Sequence, residues 1–191
     1  MSLTNSIWVH GNAFVAEDPD KLEAIRARLS NPVAPPAIQH MGWGTYFRGG
    51  EGLFTWFHVP IPVPILGGIL DQGLLEKVYF LYDIVEATIK NVDVYDGRKK
   101  IASFSGLNLA GTPDPVNPGH ASGTINGYNS IAITPHASVH SGLCLSIGVQ
   151  FNMPLEQPTR PEILFTAAGA SFGSSLPTTL ETLKDKIRLF P

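Results

Sequence analysis

The stretch VHSGLCLSIGVQF, residues 139–151, decides the fold. Its odd positions are Val139, Ser141, Leu143, Leu145, Ile147, Val149 and Phe151, all apolar except the serine. Its even positions, His140, Gly142, Cys144, Ser146, Gly148 and Gln150, are small or polar. Side chains alternate between the faces of a strand, so this pattern predicts one strand with a single apolar face. A one-residue slip would turn the whole apolar set outward, so the register is strongly specified. At ~3.3 Å per residue the stretch would run about 40 Å, longer than strands usually do. A bend or bulge at a glycine is therefore expected. The even face carries so little bulk that another group can approach it closely.

Working outward, residues 7–16 alternate as a first strand, and Asp18-Pro19 then supplies an N-cap with proline at the first helical position. Leu22, Ile25 and Leu29 follow at helical spacing, which predicts a short helix to about residue 29, followed by a proline-rich linker over 33–37. Residues 42–47 and 53–59 read as two strands around a glycine-rich turn. The alternating prolines 60, 62 and 64 lack N–H groups, which predicts an edge or extended segment there. Strands over 75–84 and 87–95 follow, the second with a bulge near Asn91. Asp96-Gly97 predicts a type I′ hairpin returning into 100–104. Residues 111–123 read as a loop, and strands over 130–134 and 162–172 bring the count to eight or nine. Thr178 and Glu181 form a capping box ahead of Leu180, Leu183 and Ile187, which share one helical face. The expected architecture is all-β: a single-domain β-sandwich over 1–176, jelly-roll or Greek-key-like, with a short helix near the N-terminus. A C-terminal amphipathic helix is expected within the tail 177–191.

Composition agrees. Of 191 residues only 15% are charged, against about 25% in an average chain, and there are 19 glycines and 16 prolines. A net charge of −3 argues against nucleic acid and anionic membranes as partners. The single Cys144 excludes an internal disulfide. No signal peptide or membrane-spanning run is visible, so a cytoplasmic location is expected.

Several segments together resemble a family of small uncharacterised bacterial and fungal β-domain proteins. They are SIWVHGNAF at 6–14, WFHVPIPVPI at 56–65, VDVYDG, GLNLAG, TPH at 134–136 with the following GLCLSIGVQF, and ILFTAAGASF at 163–172. In order they cover about three-quarters of the chain. The resemblance implies one compact β-domain and carries no activity with it. The chain departs from the pattern in the insert over 26–38 and in the tail after Phe172.

The chemistry-bearing residues are few. Six histidines are present, but no H-x-H pair occurs, and His136 and His140, on a strand, would stand about 13 Å apart. No metal site and no cofactor are expected. Asp93 and Asp96 near a turn lack calcium-loop spacing. Cys144 as a nucleophile would need an electropositive setting, and its neighbours are small and neutral. No G-x-S-x-G elbow or phosphate loop occurs. Three readings follow. The first is a binding module for an apolar or sugar ligand, built from Trp56, Trp43, Tyr46, Trp8, Cys144 and Ser146. The second is a cofactor-independent isomerase, cyclase or lyase in which His58, then His10 or His136, moves a proton. The third is a structural homo-oligomer assembled through the C-terminal helix or an exposed sheet face.

Overall fold

The structure, a computed structural model, describes residues 5–22, 36–63, 74–110, 129–152 and 161–173. Eleven strands among these residues form two antiparallel sheets. They are β1 (Asn5–His10), β2 (Val15–Ala16), β3 (Ile38–Met41), β4 (Gly44–Arg48), β5 (Phe54–Ile61) and β6 (Leu74–Val85). Then come β7 (Ala87–Asp96), β8 (Lys99–Phe104), β9 (Ser130–Ser138), β10 (Leu143–Phe151) and β11 (Glu162–Gly173). One sheet runs β3-β4-β11-β6-β9, with β1 also on β11; the other runs β2-β5-β10-β7-β8. From β4 onward the pairings nest: β4 with β11, β5 with β10, β6 with β9, β7 with β8. The strands β4 to β7 therefore alternate between the sheets, as do β8 to β11, and one core is shared between them.

The apolar face of residues 143–151 is the inner face of one sheet, as its alternation predicts: Leu143, Leu145, Ile147, Val149 and Phe151 are all buried. Phe165 and Phe47 from the other sheet meet Phe57 at 5.5 Å and 4.6 Å, and Phe14 stacks on Phe165 at 4.0 Å with planes 5° apart. Each such ring removes a large apolar area from water, worth roughly 1.5–3 kcal/mol. The interlocked rings hold the sheets together.

Several expectations change. The first predicted strand is two strands in different sheets, because a 3-10 turn at Gly11–Ala13 redirects the chain. That turn packs so tightly that a Cβ on Gly11 would stand 1.9 Å from the Phe165 carbonyl oxygen. One edge of β11 is consequently shared end to end, β4 pairing residues 162–165 and β1 pairing 167–172. β10 starts at Leu143, four residues later than its alternation predicts. Asp96 accounts for this: its carboxylate accepts the N–H groups of His140 (3.0 Å), Ser141 (2.6 Å) and Gly142 (3.2 Å). Those donors are turned toward a side chain and cannot serve a ladder. The β7–β8 turn has positive φ only at Gly97 (54°), the requirement of a type II′ turn and not of type I′. Pro60 and Ile61 extend β5, and this is tolerated because β2 covers only Phe57 and His58 on that side. β9 runs on to Ser138 and so contains His136.

The β7 bulge falls where expected, with Lys90 the extra residue between Asn91 and Ile89. Residues 19–22 are helical, with Leu22 fully buried; the remainder of the first expected helix, the 111–123 loop and the C-terminal helix lie outside the described residues.

Candidate functional site

Registers across the five-stranded sheet decide which side chains meet. Val15, His58, Ser146, Asp93 and Ser103 occupy one row across all five strands. The adjacent row of Phe57, Ile147, Val92 and Phe104 points to the core, so the histidine row lies on the outer face. Flanking it are the rows Trp56–Gly148–Asn91 and Pro60–Cys144–Tyr95–Lys100. Trp56, His58, Cys144 and Ser146 therefore do converge on one surface.

His58 Nδ1 lies 2.8 Å from Ser146 Oγ. Asp93 accepts hydrogen bonds from Lys100 Nζ (2.5 Å), Ser103 Oγ (2.6 Å) and Tyr95 OH (3.5 Å). Burial works to raise the Asp93 carboxyl, but these donors outweigh it and hold the group below its ordinary range. Asp93 stands beyond the serine and not beyond the histidine, with its oxygens occupied. The row is therefore not a relay in which a carboxylate orients an imidazole that activates a hydroxyl. Burial pushes the Cys144 thiol up, against hydrogen bonds to Ser146 and the Val59 backbone that only partly offset it. A thiol so placed stays protonated at neutral pH and is a poor nucleophile.

Gly148 is the floor beneath two rings: a Cβ added there would stand 2.8 Å from Phe54 Cζ and 3.2 Å from Trp56 Cζ3. The group that approaches the small-residue face is thus the chain's own aromatic pair. Phe54 and Trp56 meet edge to face at 5.6 Å, with Phe54 37% exposed. Gln150 pairs with Phe54 across the ladder, and Asn91 completes the Trp56 row.

The other candidates lie elsewhere. Trp8 and Tyr46 are on the outer face of the six-stranded sheet, Tyr46 beneath the Arg48 guanidinium at 5.2 Å. Trp43 is 55% exposed in the β3–β4 turn. His10 accepts the Asn12 N–H at Nδ1 (3.2 Å), so its Nε2 carries the proton and donates to the Gly42 carbonyl (3.1 Å). Both nitrogens are engaged in holding a turn. His136 is exposed within a four-residue bulge of β9, since Leu75 pairs with Ala137 and Lys77 with Ala132.

An open cleft of about 330 Å³ lies between the edge strands β8 and β9, lined in part by Asp96, Lys99, Lys100 and His140. It includes none of the residues assigned to the three functional readings, although Asp96 and His140, weighed above as metal candidates, line it. Asp93 and Asp96 face opposite sides of their sheet and are filled by protein donors, which leaves no shared cation cage. Among the described residues, no group of three or more His, Cys, Asp or Glu side chains gathers as a metal site. Among them, too, no helix is long and apolar enough to cross a membrane. Compared with protein-family models and with curated proteins, the chain finds a match in neither.

Asn91, Gln150 and Phe54 complete the surface around Trp56. Phe54 shares the period-two face of Trp56 and His58 in sequence. Asn91 and Gln150 become neighbours only through pairing registers.

Proposed function

We propose that the protein is a jelly-roll β-sandwich that binds a sugar on the outer face of its five-stranded sheet. The nested strand pairings and the passage of consecutive strands between sheets support the jelly-roll reading. The observation that carries the functional reading is the Phe54–Trp56 pair on the outer face over Gly148, with Phe54 exposed and Trp56 half-buried, edged by polar groups. Sugars offer an apolar C–H face to an aromatic ring while their hydroxyls need donors and acceptors beside it. Asn91, the Nε2 of His58 and the Oε1 of Gln150 supply those, the Gln150 NH₂ being held by the Leu53 and Phe151 carbonyls (3.3 and 3.1 Å). An enclosed apolar ligand has less support, because the rings of Phe14, Phe47, Phe57, Phe151 and Phe165 occupy the space between the sheets.

The test is calorimetric titration with soluble β-1,4-linked hexasaccharides of glucose, N-acetylglucosamine and xylose. Binding with an affinity that falls about tenfold or more in Trp56→Leu, and not in Trp43→Ala, is the expected result. Unchanged affinity in both Trp56→Leu and Phe54→Ala would sink the assignment.

One feature favours a second reading. His58 has its Nδ1 engaged by Ser146 and, among the described residues, no hydrogen-bond partner at Nε2. A cofactor-independent isomerase, cyclase or lyase would use that Nε2 to move a proton beside Trp56. Turnover of such a substrate that persists unchanged in His58→Ala would eliminate it.

A further inference from the structure

The opposite sheet repeats the arrangement found around Trp56. Trp8 on β1 faces Gly169 on β11, and Gly169 faces Tyr79 on β6, in one row of the outer face. The indole lies across the glycine: a Cβ on Gly169 would stand 2.8 Å from both Trp8 Cδ2 and Cε3. Its other support is Tyr79, whose ring stacks with the indole at 5.2 Å and 26°. In each sheet the glycine belongs to a central strand, and the tryptophan reaches over it from a neighbouring strand. Such a ring has few ways to move, so little conformational freedom is lost when a ligand covers it.

We propose that Trp8 and Tyr79 form a second sugar-stacking site, so that one molecule bridges two glycan chains. The proposal rests on the reading of Trp56 as a sugar platform and extends it to the other face. The exposed area selects the occupant. A tryptophan contributes 150–250 Å², and at 39% exposure Trp8 leaves on the order of 100 Å² open. A stable protein interface needs about 800 Å² per partner, whereas one sugar ring needs only its own face covered. The rim is polar: the next row toward the N-terminus of β1 places Ser6 and Lys77 beside the indole, both exposed. His10, on the other side, is already committed to Gly42.

Separation makes the sites independent. Packed sheets stand about 10 Å apart, and each platform adds an outward ring, so the two surfaces lie back to back roughly 20 Å apart. A short, stiff oligosaccharide lying flat on one outer face cannot lie on the other as well. Two bound chains are required.

The experiment uses the full chain and the same three hexasaccharides, with leucine variants that keep each glycine covered. Near-ultraviolet circular dichroism checks the fold, and Tyr79→Leu serves as a second probe if Trp8→Leu does not fold. Wild type is expected to bind two oligosaccharides, and Trp8→Leu and Trp56→Leu one each. The double variant is expected to bind none. Turbidity with the corresponding soluble long-chain polysaccharides is expected to rise for wild type and to vanish in either single variant, although each still binds. One site, lost in Trp56→Leu and untouched by Trp8→Leu and Tyr79→Leu, overturns this proposal and leaves the Trp56 platform standing. One site lost only in Trp8→Leu overturns both, as does the absence of binding to every hexasaccharide at millimolar concentration.

Discussion

Asp96 ties the start of the central strand β10 to the end of β7, and replacing it tests whether a carboxylate sets that boundary. Three backbone N–H groups converge on it, two of them on one oxygen. Hydrogen bonds to a charged acceptor contribute about 1.5–3 kcal/mol each in net terms. His140 and Ser141 are exposed, so water replaces part of what is lost, and Asp96→Ala is expected to cost about 3 kcal/mol. In Asp96→Asn the amide oxygen keeps Ser141 and Gly142 but turns an NH₂ toward the His140 N–H, for about 1–2 kcal/mol. Urea unfolding at neutral pH measures both. The pH dependence adds a second signature. Burial raises the Asp96 carboxyl, but the three N–H groups outweigh it and hold it below its ordinary 3.8. A carboxyl depressed in the folded state stabilises fully above its unfolded value and loses that contribution as pH falls through the folded value. The gap between wild type and Asp96→Asn should therefore be constant near neutrality and close below about pH 4. A neutral-pH gap under about 0.5 kcal/mol, or one that persists undiminished at pH 2, would refute the argument.

Gly11→Ala drives a methyl against the Phe165 carbonyl, a backbone atom that cannot swing aside, so a loss of more than about 3 kcal/mol or failure to fold is expected by thermal melting. Phe165→Ala empties the centre of the ring cluster and should cost about 3–5 kcal/mol in urea unfolding. Cys144 should react with a disulfide reagent at pH 8 at least about tenfold more slowly in the native protein than in urea, since burial raises its thiol. Equal rates would show the thiol to be open. Gly148→Ala should displace the Phe54 and Trp56 ring ends with little loss of stability, and on the proposed sugar-binding reading a lowered affinity at unchanged Tm is the expected result.

Much of the fold was legible because burial alternates along a strand with the same period as side-chain direction. Residues 143–151 carry that signal in their apolar positions, 74–85 carry it in their burial, and the bulge at Lys90 shows as a shift of phase near Asn91. The split at Gly11 was not legible, because residues 7–16 keep alternating while the chain passes from one sheet to the other. The delayed start of β10 was hidden as well. Val139 is buried and fits the apolar face, yet the adjoining N–H groups are taken by Asp96, more than 40 residues away. On the candidate face, Trp56 and His58 share a face by local periodicity, whereas Ser146 as the partner of His58 depends on the β5–β10 register.

The sequence by itself determined an all-β chain, the inner face of its central strand and the shared face of Trp56 and His58. Those properties depend on residues two apart. Only the tertiary structure decided that Gly148 and Gly169 lie beneath Trp56 and Trp8, and that these rings stand on opposite faces. The small residues of 142–148 thus make room for the chain's own aromatic side chains. Which residue crosses which strand is set by pairing between segments far apart in sequence, and no local pattern encodes that distance.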